Sequence, residues 1–339
     1  MTPGFKLSLI VRGQHPPGDP ARHLADDLEL VRAADRLGFD GVVKGSHFSA
    51  APFQSVQQIP FLSYCAAIAP RLRIICGLVL VPLHKPLELA EQLATLDLLS
   101  GGRLVFGAGI GYRDVEFKAF GVPRGKLGAR FEEVMLAVKR LWTEDAVTQK
   151  GTDWELDRAA CPIKPVQRPT PPIWIGANAD IAVKRAARIG DCWYINPHNT
   201  LATIERQMDI YKRALDEEGK PFPSEVPMRR EVFVAASRAE AIRLAQPHLE
   251  EKYRAYRAWG QDKVMPEGDD FDHEFAELLE DRFLMGSSAE VAEQMVRLNR
   301  RLGVNHVVAS VHWPGMPNSL ALEQLEILAA EVMPQVRQA

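Results

Sequence analysis

The sequence has few residues at the spacings that metal sites and disulfides require. Its four cysteines are scattered through 339 residues, whereas zinc sites and redox motifs need them in close pairs. We expect each cysteine to be a small buried apolar side chain. The nine histidines include no His-Glu-x-x-His motif, so no metal site is predicted. The cysteines are Cys65, Cys76, Cys161 and Cys192.

The chain also lacks a strong excess of charge and a long hydrophobic run. Its formal net charge is -3, which gives no electrostatic reason to expect nucleic acid or an anionic membrane as a partner. No apolar run approaches the length of a membrane-spanning helix, and residues 1–11 are too short and too polar for a signal peptide. We therefore expect a cytoplasmic protein.

Strand-like and helix-like segments alternate along almost the whole chain. Such alternation predicts a parallel sheet, and eight strand-helix units without a topological break favour a closed (β/α)8 TIM barrel over an open doubly wound sheet. We expect residues 1–339 to form one barrel domain. The predicted strands are residues 5–11, 42–43, 72–81, 103–106, 173–175, 192–195, 229–236 and 304–311.

Two segments interrupt the alternation, one after the fourth strand at about residues 145–172 and one in the C-terminal third at about 259–286. Residues 162–172 of the first segment contain five prolines, and we expect this part to be irregular. The second is rich in acidic residues, which indicates either a solvated, partly helical excursion or a lid over the barrel mouth. Its acidic residues are Glu267, Asp269, Asp270, Asp272, Glu274, Glu277, Glu280 and Asp281.

Two stretches of small residues after predicted strands are candidate ligand sites. Gly-Ala-Gly-Ile-Gly-Tyr occupies residues 107–112, and Trp-Ile-Gly-Ala-Asn-Ala-Asp occupies residues 174–180. Glycine lacks the Cβ that would keep a ligand from the backbone, and a helix that begins after a strand offers free N–H groups to a phosphate. The first stretch matches neither the dinucleotide fingerprint nor the P-loop. Taken alone, it is explained equally well as a tight turn.

Both stretches belong to longer motifs. The first extends to Leu-Leu-Ser-Gly-Gly-Arg-Leu-Val-Phe-Gly-Ala-Gly-Ile-Gly-Tyr, and the second is preceded by Pro-Val-Gln-Arg-Pro. With several shorter motifs, they resemble the luciferase-like flavin-dependent oxidoreductases, in the order in which that family has them. The family fold is a (β/α)8 barrel, so the resemblance implies the fold that the alternation predicts. The motifs lie at residues 38–41, 84–86, 98–112, 165–178, 186–191 and 286–292.

The resemblance implies a flavin site at the carboxyl ends of the strands. The FMN phosphate would lie against residues 176–180, and a non-proline cis peptide bond between Gly77 and Leu78 would support the flavin ring. A carboxylate at Asp180 would repel the phosphate, so we expect this side chain to turn away from it. The implied cofactor-binding residues are Gly77, Leu78, Gly109, Ile110, Tyr112, Gly176, Ala177, Asn178, Ala179 and Asp180.

The catalytic candidates are His47 and Ser46, at the end of the second predicted strand. His47 is expected to donate a hydrogen bond to the flavin or to a bound peroxide. Ser46 stands where bacterial luciferase has its catalytic histidine, which argues against luciferase-like aldehyde chemistry. The candidates for an apolar enclosure are Tyr112, Phe48, Trp193 and Trp313, although core packing is the more ordinary role of Trp193. The predicted substrate pocket contains Arg12, Phe48, Asn196, His312 and Trp313.

The activity implied by the resemblance is that of a monooxygenase. Reduced FMN, delivered by a separate flavin reductase, would react with dioxygen to give a flavin hydroperoxide, which transfers one oxygen atom to a small organic substrate. The resemblance also implies a homodimer. The sequence does not identify the substrate.

Three alternatives differ in their chemistry. Two lie within the family: hydride transfer with the deazaflavin coenzyme F-420, and flavin binding without turnover. Few basic residues other than Arg113 lie near residues 109–112, which favours FMN over a cofactor with a polyanionic tail. A hydrolytic barrel would need a metal cluster or paired carboxylates at strand ends. Only Asp180 and Glu231 are evident acidic candidates there.

Overall fold

The fold is a parallel barrel, seen in a computed structural model that describes residues 4–269, 271, 278–279 and 282–338. Eight strands pair in parallel in chain order, and the first strand pairs with the last. The predicted (β/α)8 barrel is therefore confirmed. Its strands are β1 (Lys6–Ile10), β2 (Gly41–Lys44), β3 (Arg73–Leu80), β4 (Leu104–Gly109), β7 (Ile173–Ala177), β8 (Cys192–Ile195), β9 (Pro227–Val234) and β11 (His306–Ser310).

Helices connect the strands and cover the outside of the barrel. The predicted last helix at 320–336 is interrupted, because a π-helical segment at Leu328–Val332 separates the final two helices. Among the described residues, no helix is long and apolar enough to cross a membrane. The helices are α1 (Pro20–Leu37), α2 (Gln58–Ile68), α3 (Pro86–Leu99), α4 (Asp114–Ala119), α5 (Leu127–Thr143), α6 (Asp180–Ile189), α7 (Leu201–Glu217), α8 (Arg238–Ala258), α9 (Ser288–Leu302), α10 (Asn318–Ile327) and α11 (Met333–Gln338).

The first interruption is more regular than expected. It contains an antiparallel hairpin of β5 (Val147–Lys150) and β6 (Glu155–Ala159). Both strands are short, but each buries an apolar side chain, Val147 in one and Leu156 in the other. The hairpin was not predicted, since two strands of this length give almost no periodic signal. The proline-rich part, residues 162–172, contains no helix or strand, as expected.

The second interruption contains a short 3-10 turn at Asp262–Val264 and a strand, β10 (Phe283–Gly286), which pairs in parallel with the second half of β9. Asp269 is buried and accepts hydrogen bonds from the backbone and hydroxyl of Thr200. A solvated role is therefore wrong for Asp269. The other part of the predicted acidic excursion lies outside the described residues, namely Asp270, Asp272, Glu274, Glu277, Glu280 and Asp281.

The apolar core has two layers. The larger fills the space between the strands and the surrounding helices. All four cysteines are unpaired and buried, as predicted, and burial raises the pKa of the Cys76 thiol to about 12. The smaller layer fills the barrel interior, and its side chains are Ile10, Val43, Ile75, Val105, Trp174, Cys192, Tyr194 and Val308.

The amino ends of the strands are held together by charged groups around Glu225. Its carboxylate accepts hydrogen bonds from Lys6 (2.8 Å) and Arg73 (2.5 Å), and Oε1 lies 3.0 Å from Nδ1 of His306. Although burial opposes ionisation, these partners hold the pKa of Glu225 well below its usual value. The charged groups at this end of the barrel bond to one another. Groups available to bind a ligand lie at the other end.

We predict that Ser287→Ala lowers stability by about 1 kcal/mol, because Ser287 caps α9. Its hydroxyl accepts from the backbone N–H of Glu290, and the Glu290 carboxylate accepts from the backbone N–H of Ser287. Urea unfolding measures the change. Ser63→Ala is the control, because Ser63 only donates to Ile59 within its own helix. Equal losses in both variants would contradict the assignment.

Candidate functional site

A cavity of about 330 Å³ opens at the carboxyl ends of the barrel strands. The turns after β1, β2, β4, β7 and β8 contribute to its lining, together with the C-terminal part of α8. This is the end of the barrel where the sequence places the flavin and its substrate. The predicted site residues that line the cavity are Arg12, Ser46, His47, Gly77, Leu78, Gly109, Ile110, Tyr112, Gly176, Ala177, Asn178, Ala179 and Asn196.

Four predicted site residues lie outside the cavity lining: Asp180, Phe48, His312 and Trp313. Phe48 packs on Phe120, with ring centroids 4.6 Å apart. Nε2 of His312 is 3.0 Å from the carbonyl oxygen of Met316, so this imidazole is used within its own turn. Placement at a strand end therefore does not suffice to put a side chain in the cavity.

The two tryptophans of the proposed enclosure also make hydrogen bonds within the protein. Trp193 donates from Nε1 to the carbonyl of Ala177 (3.2 Å) and is buried in the outer core. Trp313 donates from Nε1 to Oε2 of Glu231 (2.5 Å) and is 2% exposed. Tyr112, by contrast, lines the cavity.

Leu78 forms one wall of the cavity together with glycines from two neighbouring strands. The Gly77–Leu78 peptide bond is cis, which confirms the prediction, and the β3–β4 register shifts between Cys76 and Val79. A Cβ on Gly176 would stand 2.2 Å from the Leu78 side chain, and one on Gly109 would stand 2.8 Å from it. These glycines therefore make room for the protein's own leucine, a reason that the sequence did not reveal.

The turn from β7 into α6 presents backbone N–H groups beside small side chains. Ala179 is the N-cap residue and makes no side-chain cap bond, so its side chain does not occupy the first-turn N–H groups of the helix. Asp180 is the first helical residue rather than the cap. Its carboxylate bonds to Arg206 (2.6 Å) and Gln207 (3.1 Å), away from the cavity, in the orientation expected for it. The turn fits a phosphate group.

His47 is oriented by a buried carboxylate. Its Nδ1 lies 3.2 Å from Oε1 of Glu116, which also accepts from the backbone N–H of Phe48 and from Arg113. Burial lowers the pKa of His47, although Glu116 opposes this effect. The imidazole is therefore neutral at neutral pH, with Nδ1–H donated to Glu116 and Nε2 left as the acceptor. This protonation does not fit the donor role toward the flavin or a peroxide that the sequence suggested for His47. Sequence reasoning missed Glu116, because its link to His47 spans 69 positions.

The opposite wall of the cavity is charged. Strands four positions apart face each other in an eight-stranded barrel, so β9, β11 and β1 lie across from β3, β4 and β7. Arg12 follows β1, and Arg229 lies on β9; both line the cavity. The Nη2 group of Arg12 donates to Gln14 and to the hydroxyl of Tyr256, and its guanidinium lies 4.9 Å from the centroid of the Tyr256 ring.

Glu231 is the anionic centre of this charged wall and is completely buried. It pairs with Lys252 of α8, accepts from Trp313, and lies 3.5 Å from Nη2 of Arg229. Burial opposes its ionisation, but the charges of Lys252, Arg229 and Arg12 hold its pKa well below the usual value. Glu231 is thus an ionised structural partner of these cations.

Lining residues outside the strand-end positions expected from the sequence include Gln14, Tyr194 and Tyr256. His198 and Arg229 also line the cavity, and both fall within expected strand ends, at residues 196–198 and 229–231. Arg229 and Glu231 are two positions apart in β9, so they lie on the same face of that strand. The position of Tyr256 could not be predicted, because it depends on the path of α8 over the barrel mouth.

A second cavity of about 450 Å³ shares Tyr112 and Val264 with the first. Arg113, Arg124 and Lys263 line it from three separate segments. The expectation of few basic groups near residues 109–112 was therefore wrong, because tertiary structure brings distant cations together. Among the described residues, no group of three or more His, Cys, Asp or Glu side chains is arranged to hold a metal ion.

Known proteins that are similar to this chain include two monooxygenases matched by sequence and one monooxygenase of solved structure. The chain is 28% identical over 248 residues to the oxygenase component of a flavin-dependent trigonelline monooxygenase of Acinetobacter baylyi, covering 70% of this chain and 67% of that protein. It is 26% identical over 332 residues to an FMNH2-dependent dimethylsulfone monooxygenase of Pseudomonas putida, covering 91% and 87%. Its fold matches monooxygenase RslO1 from Streptomyces bottropensis with a TM-score of 0.84 and 26% identity, covering 97% and 99%.

The family assignment rests on most of the chain. The model of the luciferase-like monooxygenase family matches residues 5–306, a range that extends from the start of the first barrel strand into the last. It includes the Gly77–Leu78 cis bond, the α6 turn and His47. The chain therefore belongs to the luciferase-like monooxygenase family.

Proposed function

We propose that this protein is a flavin-dependent monooxygenase that uses reduced FMN and dioxygen to oxygenate a small organic substrate. The proposal rests on one observation: the same cavity is lined by Leu78, by the turn before α6 with its uncapped N–H groups, and by the neutral His47. The FMNH2-dependent relative, which aligns over 91% of this chain, supports the choice of cofactor.

In this proposal Leu78 and residues 109–112 would hold the flavin ring, and the backbone of residues 176–180 would hold the phosphate. When bound, reduced FMN supplies the electrons that activate dioxygen. The wall on this side has small and apolar side chains, which exclude water from the face of the ring. The remaining volume between the ring and the charged wall then receives the substrate.

The groups placed to hold or move a proton are His47 and Tyr112. Neutral His47 keeps Nε2 as an acceptor, because Glu116 holds the proton on Nδ1. Burial raises the pKa of Tyr112 well above its usual value, so its phenol stays protonated and can donate a hydrogen bond. We propose that these two groups orient the bound oxidant and the substrate. Ser46, beside His47 in the lining, is the second proposed catalytic residue.

We further propose that a separate flavin reductase supplies reduced FMN. The name of one relative, an oxygenase component, supports this arrangement. The proposed partner would deliver the flavin through the open mouth of the cavity. We also propose that the protein forms a homodimer.

Deazaflavin-dependent hydride transfer is the second candidate. The second cavity favours it, because Arg113, Arg124 and Lys263 could bind an anionic tail beyond Tyr112. Asp114 in the same cavity opposes such binding and is paired with Arg124. Anaerobic titration with reduced FMN and with reduced deazaflavin separates the two cofactors.

We expect the purified protein to bind reduced FMN anaerobically and to slow its reoxidation at least about tenfold when oxygen is admitted, because a closed site stabilises the oxygenated flavin. Stopped-flow absorbance measures the rate against free reduced FMN. Binding of reduced deazaflavin alone would contradict the proposal. Tight binding of oxidised FMN with unprotected, rapid reoxidation would indicate a flavin-binding protein without turnover.

Ala179→Asp should weaken FMN binding by about tenfold or more, because it places a carboxylate at the N-cap beside the proposed phosphate position. Riboflavin, which has no phosphate, should bind as it does to the unchanged protein. Ala179→Asn is the matched neutral control: its side chain can also cap the helix but carries no charge, so it should lose less FMN affinity than Ala179→Asp. Fluorescence titration measures all the affinities, and a parallel loss of FMN and riboflavin binding would contradict the phosphate assignment.

Glu116→Gln should lower the pKa of His47 further, because the Glu116 carboxylate is the main group that raises it against burial. Two-dimensional NMR of the histidine ring nitrogens, recorded against pH, measures the shift. Glu88→Gln is the control: Glu88 contacts a different histidine, His84, at 3.3 Å. An unchanged His47 titration in Glu116→Gln would show that this carboxylate does not set the protonation of His47.

A further inference from the structure

The charged wall contains hydrogen-bond donors that the protein leaves unused. Nη1 of Arg12 and Nε of Arg229 have no hydrogen-bond partner among the described residues, and Nη2 of Arg229 makes no hydrogen bond but has the Glu231 carboxylate 3.5 Å away. Arg12 is 7% exposed, and the Arg229 side chain is 13% exposed. Both residues line the cavity. Buried guanidinium N–H groups without acceptors are costly, because they have lost their hydration.

The wall also has an excess of positive charge. Two guanidiniums face one carboxylate, Glu231, and that carboxylate already bonds to Lys252 and Trp313. Burial lowers the pKa of Arg12, and the charge of Arg229 lowers it further, so the two cations are within electrostatic reach. Although burial opposes the charge of Arg229, Glu231 holds its pKa above the usual value. Because Lys252 adds a third cation beside Glu231, an added negative charge would offset part of this excess.

We propose that Arg12 and Arg229 bind the anionic group of the substrate, which is a small organic acid carrying a carboxylate or sulfonate. This inference rests on the proposed monooxygenase function and specifies its substrate class. Oxyanions of this kind accept the paired N–H donors that a guanidinium presents. The hydroxyl of Tyr194 and Nδ1 of His198, which also line the cavity without partners among the described residues, supply further polar contacts.

The position of this pair separates it from the proposed phosphate site. Arg12 follows β1, and the α6 turn follows β7; these strands lie across the barrel from each other. The guanidiniums are therefore assigned to a second anion. Between the two ends, Ile10, Leu80 and Val264 provide apolar surface for the body of the acid.

The test compares acids with their neutral amides: benzoate with benzamide, and hexanoate with hexanamide, with benzenesulfonate as the sulfonate probe. Calorimetric titration is done on the flavin-free protein and on the protein loaded with oxidised FMN. We expect each bound acid to be favoured over its amide by about 10- to 100-fold. Arg12→Met and Arg229→Met should each remove most of this preference. Arg229→Lys, which keeps the charge, should retain part of it.

Arg243→Met is the matched control, since Arg243 is 69% exposed on α8, and it should leave the acid preference unchanged. Equal binding of acids and amides, or binding of none of the probes up to about 10 mM, would overturn the proposal. A loss of FMN affinity in both Arg12→Met and Arg229→Met, with the acid preference intact, would also overturn the proposal, because the guanidiniums would then bind the flavin. Failure of the protein to bind flavin would instead reject the monooxygenase proposal, since the acid preference is measured without flavin as well.

Discussion

A fully buried carboxylate, Glu231, sets the arrangement of one half of the cavity. A buried charge must be compensated, so Lys252 from α8 and Trp313 from the turn after β11 both converge on it. This convergence holds α8 over the barrel mouth and brings Tyr256 to Arg12. The charged wall is therefore a consequence of compensating one carboxylate in the barrel interior, and its unused guanidinium donors are what remains after that compensation.

The other half of the cavity depends on a steric constraint. Leu78 points toward β4 and β7, where a Cβ on Gly109 or Gly176 would collide with it. These glycines let a leucine side chain lie where three strands meet. The result is a smooth wall without charged groups, opposite the one that Glu231 organises. The two walls differ in chemistry because one is built around a charge and the other around missing Cβ atoms.

The alternation of segments was sufficient to predict the barrel, and strand ends were sufficient to predict much of the cavity lining, because parallel strands deliver their carboxyl ends to one place. Sequence spacing could not show which strand-end side chains are used elsewhere. Trp313 donates to Glu231, a contact between residues far apart in the sequence. His312 contacts the carbonyl of Met316, which depends on the local turn geometry. For the same reason Gln14 and Tyr256 were not recognised as cavity residues, and Glu116 was not recognised as the partner of His47.

Placing two anion sites at opposite ends of one cavity has a consequence for selectivity. If the flavin phosphate is held after β7 and the substrate acid after β1, each ligand is fixed at its charged end and the reacting parts meet between them. The distance from the guanidinium pair to the flavin ring then decides which carbon or heteroatom of the acid is oxygenated. Acids of different chain length would therefore present different atoms to the ring.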